Sequence, residues 1–195
     1  ALRNLDGSII TDGLPFTSWQ KYYNIISQAL VLTENIGRAN LPKDRYNYYV
    51  GQALFFKALA YFTIVQTWGD CPYVSVSYEL GAKERTPWQE VLDLAIKDAE
   101  RATELLEPWT QLVDSKGVAV STRQLPGREA AYALLAHMYA WKGSLENDNT
   151  ALQKGIDAAT YVIDKGGFTL AENPEEVCTK VMLGKHPEDI FEVEL

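Results

Sequence analysis

Apolar residues recur at intervals of three and four through most of this chain, and each such segment is closed by Gly, Pro or a polar turn. That spacing places the apolar side chains on one face of a helix, so the chain must fold as helices that cover one another. The first segment, Ser18 to Ile36, carries Trp19, Tyr22, Tyr23, Ile26, Ala29, Leu30 and Thr33, and Gly37 and Pro42 stop it. The second, Asp44 to Thr67, is apolar on more than one face through Phe56, Ala60 and Ile64 together with Leu54, Tyr61 and Val65, so it should lie between other helices. Thr86-Pro87-Trp88-Gln89 opens the third with a Thr N-cap, Pro at the first helical position and Gln three residues after the cap. It runs to about Leu106, with Asp93, Lys97, Asp98, Glu100, Arg101 and Glu104 expected on a wet face and Asp93 pairing with Lys97. The fourth, Arg128 to Lys142, is alanine-rich and admits a close neighbour; Gly143 is expected to end it. The fifth spans Thr150 to Lys165 and stops at Gly166-Gly167.

Between these segments the chain is irregular. Residues 1–17 form a turn-rich lead-in, Tyr73 to Val76 alternates like a short edge strand or extended loop, and Gly117 to Val120 is a short alternating piece within a long connection. Ile190 to Leu195 alternates with period two and reads as a strand without an evident partner, which suggests a piece of a longer protein. The expected fold is therefore mainly all-α. It is a single domain over residues 1–195, built of stacked antiparallel helical hairpins in the tetratricopeptide manner, with minor short strands and long loops. No 34-residue self-similarity accompanies it.

A formal net charge of -8 disfavours nucleic acid and anionic lipid as partners, because both are held by clustered Lys and Arg. Cys71 and Cys178 lack the spacing of a zinc or redox site and are expected to be small buried residues. No apolar run of membrane-spanning length stands out, and the first residues have no leader pattern, so the protein is either cytosolic or exported with its signal removed.

No catalytic constellation emerges. His137 sits in an apolar helix, His186 precedes Pro187 in a turn, and no G-x-S-x-G elbow is present. The acids of the third helix alternate with Lys97 and Arg101 as a solvated face would, and Glu146 to Asn149 lacks the Gly and Glu of a calcium loop. Neither metal nor cofactor is implied. Aromatic residues outside the stripes, Trp109 after Pro108 and Phe16 after Pro15, are the candidates for stacking on a sugar ring, with Gln111 and Asp114 near Trp109 to bond hydroxyls, or for anchoring a partner protein; burial in the fold is the favoured reading of both.

Several segments together resemble the SusD/RagB family of nutrient-binding outer-membrane lipoproteins, over nearly the whole chain. Ser18 to Ile26 is similar to its first-helix pattern of a Trp, a Tyr pair and an Ile. Gly51-Gln52-Ala53-Leu54-Phe55-Phe56-Lys57-Ala58-Leu59-Ala60-Tyr61-Phe62, followed by Trp68-Gly69-Asp70-Cys71-Pro72-Tyr73, resembles its most recognisable stretch. The family usually has an acid at Gln52, Arg at Lys57 and an aliphatic residue at Cys71. Glu90 to Leu92 with Asp98 to Ala102, Gly127 to Ala136, Ala158 to Asp164, Phe168 to Leu170 and Glu188 to Val193 follow in the family's order.

The resemblance implies a non-catalytic surface subunit that captures an oligosaccharide or polysaccharide, or in some members a peptide, and works with a SusC-like TonB-dependent transporter. It also implies a lipidated Cys anchor outside this sequence, a ligand site largely in a C-terminal part, and helical hairpins that mainly meet the transporter. The alternative reading is a cytosolic helical-hairpin scaffold for peptide or protein, with no affinity for sugar.

Overall fold

A computed structural model describes residues 18–78, 81–114, 116–120, 122–181 and 186–193. The helices are α1 (Gln20–Asn35), α2 (Lys43–Trp68), α3 (Trp88–Leu105), α4 (Arg128–Glu146), α5 (Asn149–Lys165) and a short α6 (Pro174–Thr179), with 3₁₀ turns at Ile36–Ala39 and Trp109–Gln111. Each of α1 to α4 packs against the next in sequence.

The pairings run antiparallel. Trp19 at the start of α1 meets Trp68 at the end of α2, while the carbonyl and amide of Cys71, just after α2, pair with those of Thr86, just before α3. At the opposite end of that hairpin, a Cβ on Gly51 would lie 2.8 Å from Leu106 Cγ, so glycine is what lets α2 approach the end of α3. Asp93 near the start of α3 bonds Lys142 near the end of α4, and Tyr132 of α4 stacks on Tyr161 of α5 with ring centroids 3.9 Å apart. The result is the expected all-α stack of antiparallel hairpins.

Helix α2 occupies the centre. At 26 residues it is long and apolar enough to match a membrane span, which the sequence reading did not anticipate. Its buried residues, Phe55, Ala58, Tyr61, Phe62, Ile64 and Val65 among them, explain that composition: they face the other helices of a shared core. Into that core α3 sends Val91, Leu92, Ala95 and Ala99, and α4 sends Ala131, Leu135 and Met138.

Several local expectations change. Helix α3 starts at Trp88 without a side-chain cap from Thr86, whose backbone is committed to Cys71; Asp70 Oδ1 instead accepts from the Trp88 amide at 2.9 Å. Asp93 pairs with Lys142 rather than Lys97. Asp98 leaves the wet face to pair with Lys57 at 3.0 Å, both side chains mostly covered; burial pushes its carboxyl up, against the pull of the Lys57 ammonium.

Helix α4 does not end at Gly143 but continues to Glu146 and closes at left-handed Asn147, because Gly143 is where Leu152 of α5 comes close. Asp148 then caps α5 through the amides of Thr150 and Ala151. Tyr73 to Val76 forms no strand, and the alternating piece after Gly117 folds back so that Val120 donates to Leu112 and Asp114 to Val118. The described part of the terminal run, 190–193, is not a strand either. It lies across the core with Phe191 edge-on to Phe55 and Phe56, and Glu192 donates to the Arg123 carbonyl. The remaining two residues lie outside the described ones, as does the lead-in at 1–17.

Cys71 is fully buried, and burial pushes its thiol up; Cys178 is exposed on α6, against the expectation that both would be covered. A thiol reagent should therefore modify one equivalent in the native protein, at Cys178, and a second only after unfolding; rapid native modification of Cys71 would contradict the packing. Replacing Lys57 with Ala leaves Asp98 covered and unpaired and should lower the unfolding free energy by about 3 kcal/mol, whereas Lys57→Met with Asp98→Leu should recover most of it. Denaturant titration of the three proteins tests this.

Candidate functional site

The two candidate sugar platforms fare differently. Phe16 lies outside the described residues. Trp109 is half-buried in the 3₁₀ turn after α3, where Pro108 leads in and the Glu129 carboxylate accepts from its amide at 2.9 Å. Its indole N–H donates to the Gly166 carbonyl at 2.8 Å, closing the turn onto the end of α5. Phe168 stacks against it with centroids 6.1 Å apart, and the Arg123 guanidinium lies 3.2 Å from the centre of the indole. Burial of Arg123 lowers its pKa, opposed by Asp189, Glu129 and Glu192. Gly127 permits the arrangement, since a Cβ there would meet the Trp109 backbone at 2.9 Å. These contacts tie three separate stretches of chain together. Gln111 and Asp114 are not recruited to the ring: Asp114 Oδ1 instead accepts the amides of Lys116 and Val118 within its own turn.

The stretch from Trp68 to Tyr73 is likewise occupied by the fold. Gly69 adopts φ +71 to leave α2, Asp70 caps α3, Cys71 bridges to Thr86, and the Pro72 carbonyl accepts from Tyr23 Oη at 2.5 Å. Tyr73 stacks on Tyr61, whose hydroxyl both donates to the Val74 carbonyl and accepts the Val74 amide. Trp19, Tyr22 and Trp68 pack edge to face around it, with Arg85 over Trp19. Their helical spacing in the sequence thus corresponds to inter-helix packing.

Among the open grooves of the described residues, two bear on binding. One, of about 520 Å³ between α1 and α2, is lined by Ile25, Ala29, Leu32, Ala53 and Phe56, with the amides of Asn24, Gln28 and Gln52 among them. The other, of about 660 Å³, mixes polar and apolar surface and crosses α3, α4 and α5. Tyr132 and Tyr161 form a stacked pair in it, Tyr139 Oη donates to Glu100 at 2.5 Å, and Lys154 Nζ donates to Tyr139 Oη at 3.4 Å. Burial and the Glu100 carboxylate both push the Tyr139 hydroxyl up, so it stays a donor. The sequence reading missed this set. Tyr132 and Tyr139 are seven apart on α4 and so share a face, but Glu100, Lys154 and Tyr161 join them only through the stacking of three helices. Among the described residues no group of three or more His, Cys, Asp or Glu side chains could hold a metal ion.

Comparison with known proteins gives this geometry its setting. Residues 4–140 match a family model, SusD-like, described as starch-binding and associating with the outer membrane. The chain belongs to the SusD-like family. SusD-like protein P2 of Formosa agariphila is 31% identical over 169 residues, covering 84% of this chain and 30% of the relative. Among solved structures, a SusD superfamily protein from Bacteroides vulgatus superposes with a TM-score of 0.74 at 20% identity, covering 96% of this chain and 37% of that one. A laminarin-binding SusD-like protein superposes at 0.69 with 18% identity, covering 85% and 34%. The chain therefore spans about a third of the length of these SusD-like proteins. The helical stack is the SusD-like fold of this region, and the family's recognisable stretches fall on helix contacts and the turn that joins α2 to α3.

Trp109→Ala should lower the unfolding free energy by about 3 kcal/mol, the cost of truncating a packed aromatic, and Trp109→Phe by less because only the indole bond to Gly166 is lost. Thermal or chemical denaturation measures both, and unchanged stability in Trp109→Ala would free the ring for another role.

Proposed function

We propose that this chain is the helical part of a non-catalytic glycan-binding protein of the outer membrane. In the full-length protein it would be held at the cell surface by a lipid anchor and work beside a TonB-dependent transporter of the SusC type. The observation that carries the reading is the match of residues 4–140 to a family described as starch-binding and associated with the outer membrane. The laminarin-binding SusD-like protein, which shares the fold, supports a glycan as the ligand class.

The stacked hairpins supply a broad, rigid surface suited to a large interface with the transporter. The apolar groove between α1 and α2, with Ile25 exposed at its rim, gives that surface a part that gains from being covered. Trp109 is held by Gly166, Arg123 and Phe168, which supports a packing role and leaves sugar contacts to other residues. A cytosolic helical scaffold is the weaker reading, because it gives no account of the family match.

The full-length protein should co-purify with its transporter from detergent-solubilised outer membranes, and Ile25→Glu should weaken that association while leaving the melting temperature unchanged. Recovery of the full-length protein in the soluble cytosolic fraction, without the transporter, would contradict the reading.

A further inference from the structure

The groove across α3, α4 and α5, part polar and part aromatic, has the chemistry of a carbohydrate subsite. Sugar rings offer apolar C–H faces to aromatic rings and hydroxyls that both donate and accept, so a site for them mixes aromatic surface with side chains of both polarities. Here the Tyr132–Tyr161 pair spans two helices, and both rings are half-buried at the groove. Beside them Glu100, Tyr139 and Lys154 form a chain of bonded groups whose positions are fixed by α3, α4 and α5 respectively. Asp157, one turn along from Lys154, is held by Gln153 at 2.9 Å and adds an acceptor. The volume, about 660 Å³, lies within the roughly 300–1,000 Å³ of small-molecule sites.

We propose that this groove binds a neutral oligosaccharide, as a glycan subsite within the helical stack itself. The proposal rests on the glycan-binding reading above and adds both a place and a selectivity to it.

The selectivity follows from charge. Glu100, Glu104 and Asp157 place three carboxylates in the groove lining against one ammonium, Lys154, with Arg101 paired to Glu104 beside it, so the site keeps a net negative charge. Such a lining repels uronic-acid and sulfated glycans, while a neutral hexose chain meets acceptors for its hydroxyls and donors in Lys154 and the tyrosines. By contrast, the groove between α1 and α2 exposes mainly apolar surface and carries no charged side chain in its lining.

Affinity electrophoresis of this chain and of the full-length protein, in gels containing neutral glucans, mannan or xylan, acidic alginate and carrageenan, or cationic chitosan, tests the proposal. At least one neutral polysaccharide should retard the chain, and the acidic ones should not. Tyr161→Ala and Tyr132→Ala should each weaken retardation of the chain about fivefold to tenfold, as expected for loss of one stacking ring, and Lys154→Gln should weaken it less. Melting curves of the variants establish that they are folded; if the alanine variants unfold, Lys154→Gln and Asp157→Asn carry the same test at the surface. Retardation of the full-length protein but not of the chain would overturn the subsite and leave the glycan-binding reading standing. Retardation of neither would overturn both. Preference for acidic or cationic polysaccharide, or binding unaffected by every folded groove variant, would overturn the subsite.

Discussion

The middle of α2 has too little polar surface to face water, and the rest of the structure is arranged around that constraint. Tyr61 and Ile64 are completely enclosed, and α1, α3 and the terminal Phe191 supply much of the enclosure. The ion pair of Lys57 with Asp98 fits the same constraint, because a cation on such a helix needs a carboxylate brought to it by a neighbour. Even the turn after α2 is recruited, since Asp70 leaves the helix only to cap the next one and the Val74 backbone satisfies the Tyr61 hydroxyl. Each hairpin is thereby registered against the one before it, so the faces left open on the outside have fixed shapes.

What the sequence made legible was the helical periodicity, and with it the number and order of the long helices. A stripe at three-four spacing is a local property, and α1, α2, α3 and α5 begin and end within a few residues of where their stripes do. What it hid was every feature that depends on a distant residue. Thr86 satisfied the rules for a cap, yet its backbone was needed by Cys71, and Asp70, eighteen positions before the helix start, took the task. Asp93 had Lys97 at the right spacing and instead reached Lys142 on another helix. Gly143 read as a stop because glycine commonly is one; here it makes room for Leu152, and the helix passes through it. The terminal run alternated like a strand, but Phe191 gains more by inserting against Phe55 and Phe56 than it could from a ladder with no partner strand among the described residues.

The same division separates the candidate binding residues. An aromatic residue in a long loop invites a functional reading, and Trp109 had that position; the structure engages its ring and its N–H in closing the loop. Tyr132, Tyr139 and Tyr161 carry no comparable signal, since tyrosines on helices commonly pack in cores. Only the antiparallel stacking of α3, α4 and α5 gathers them with Glu100 and Lys154 in one groove. Family membership and geometry thus contribute different things. The first supports the proposed ligand class and membrane setting, and the second supplies a rigid scaffold with an apolar and a more polar groove among its open surfaces.

Capture without cleavage is the central claim, and size-exclusion chromatography of the full-length protein mixed with a neutral polysaccharide, followed by light scattering, tests it most directly. The expected result is polysaccharide that elutes with the protein and keeps its original mass after prolonged incubation. Polysaccharide that shortens with time would mean a catalyst, and polysaccharide that elutes apart from the protein would mean that sugar is not its ligand.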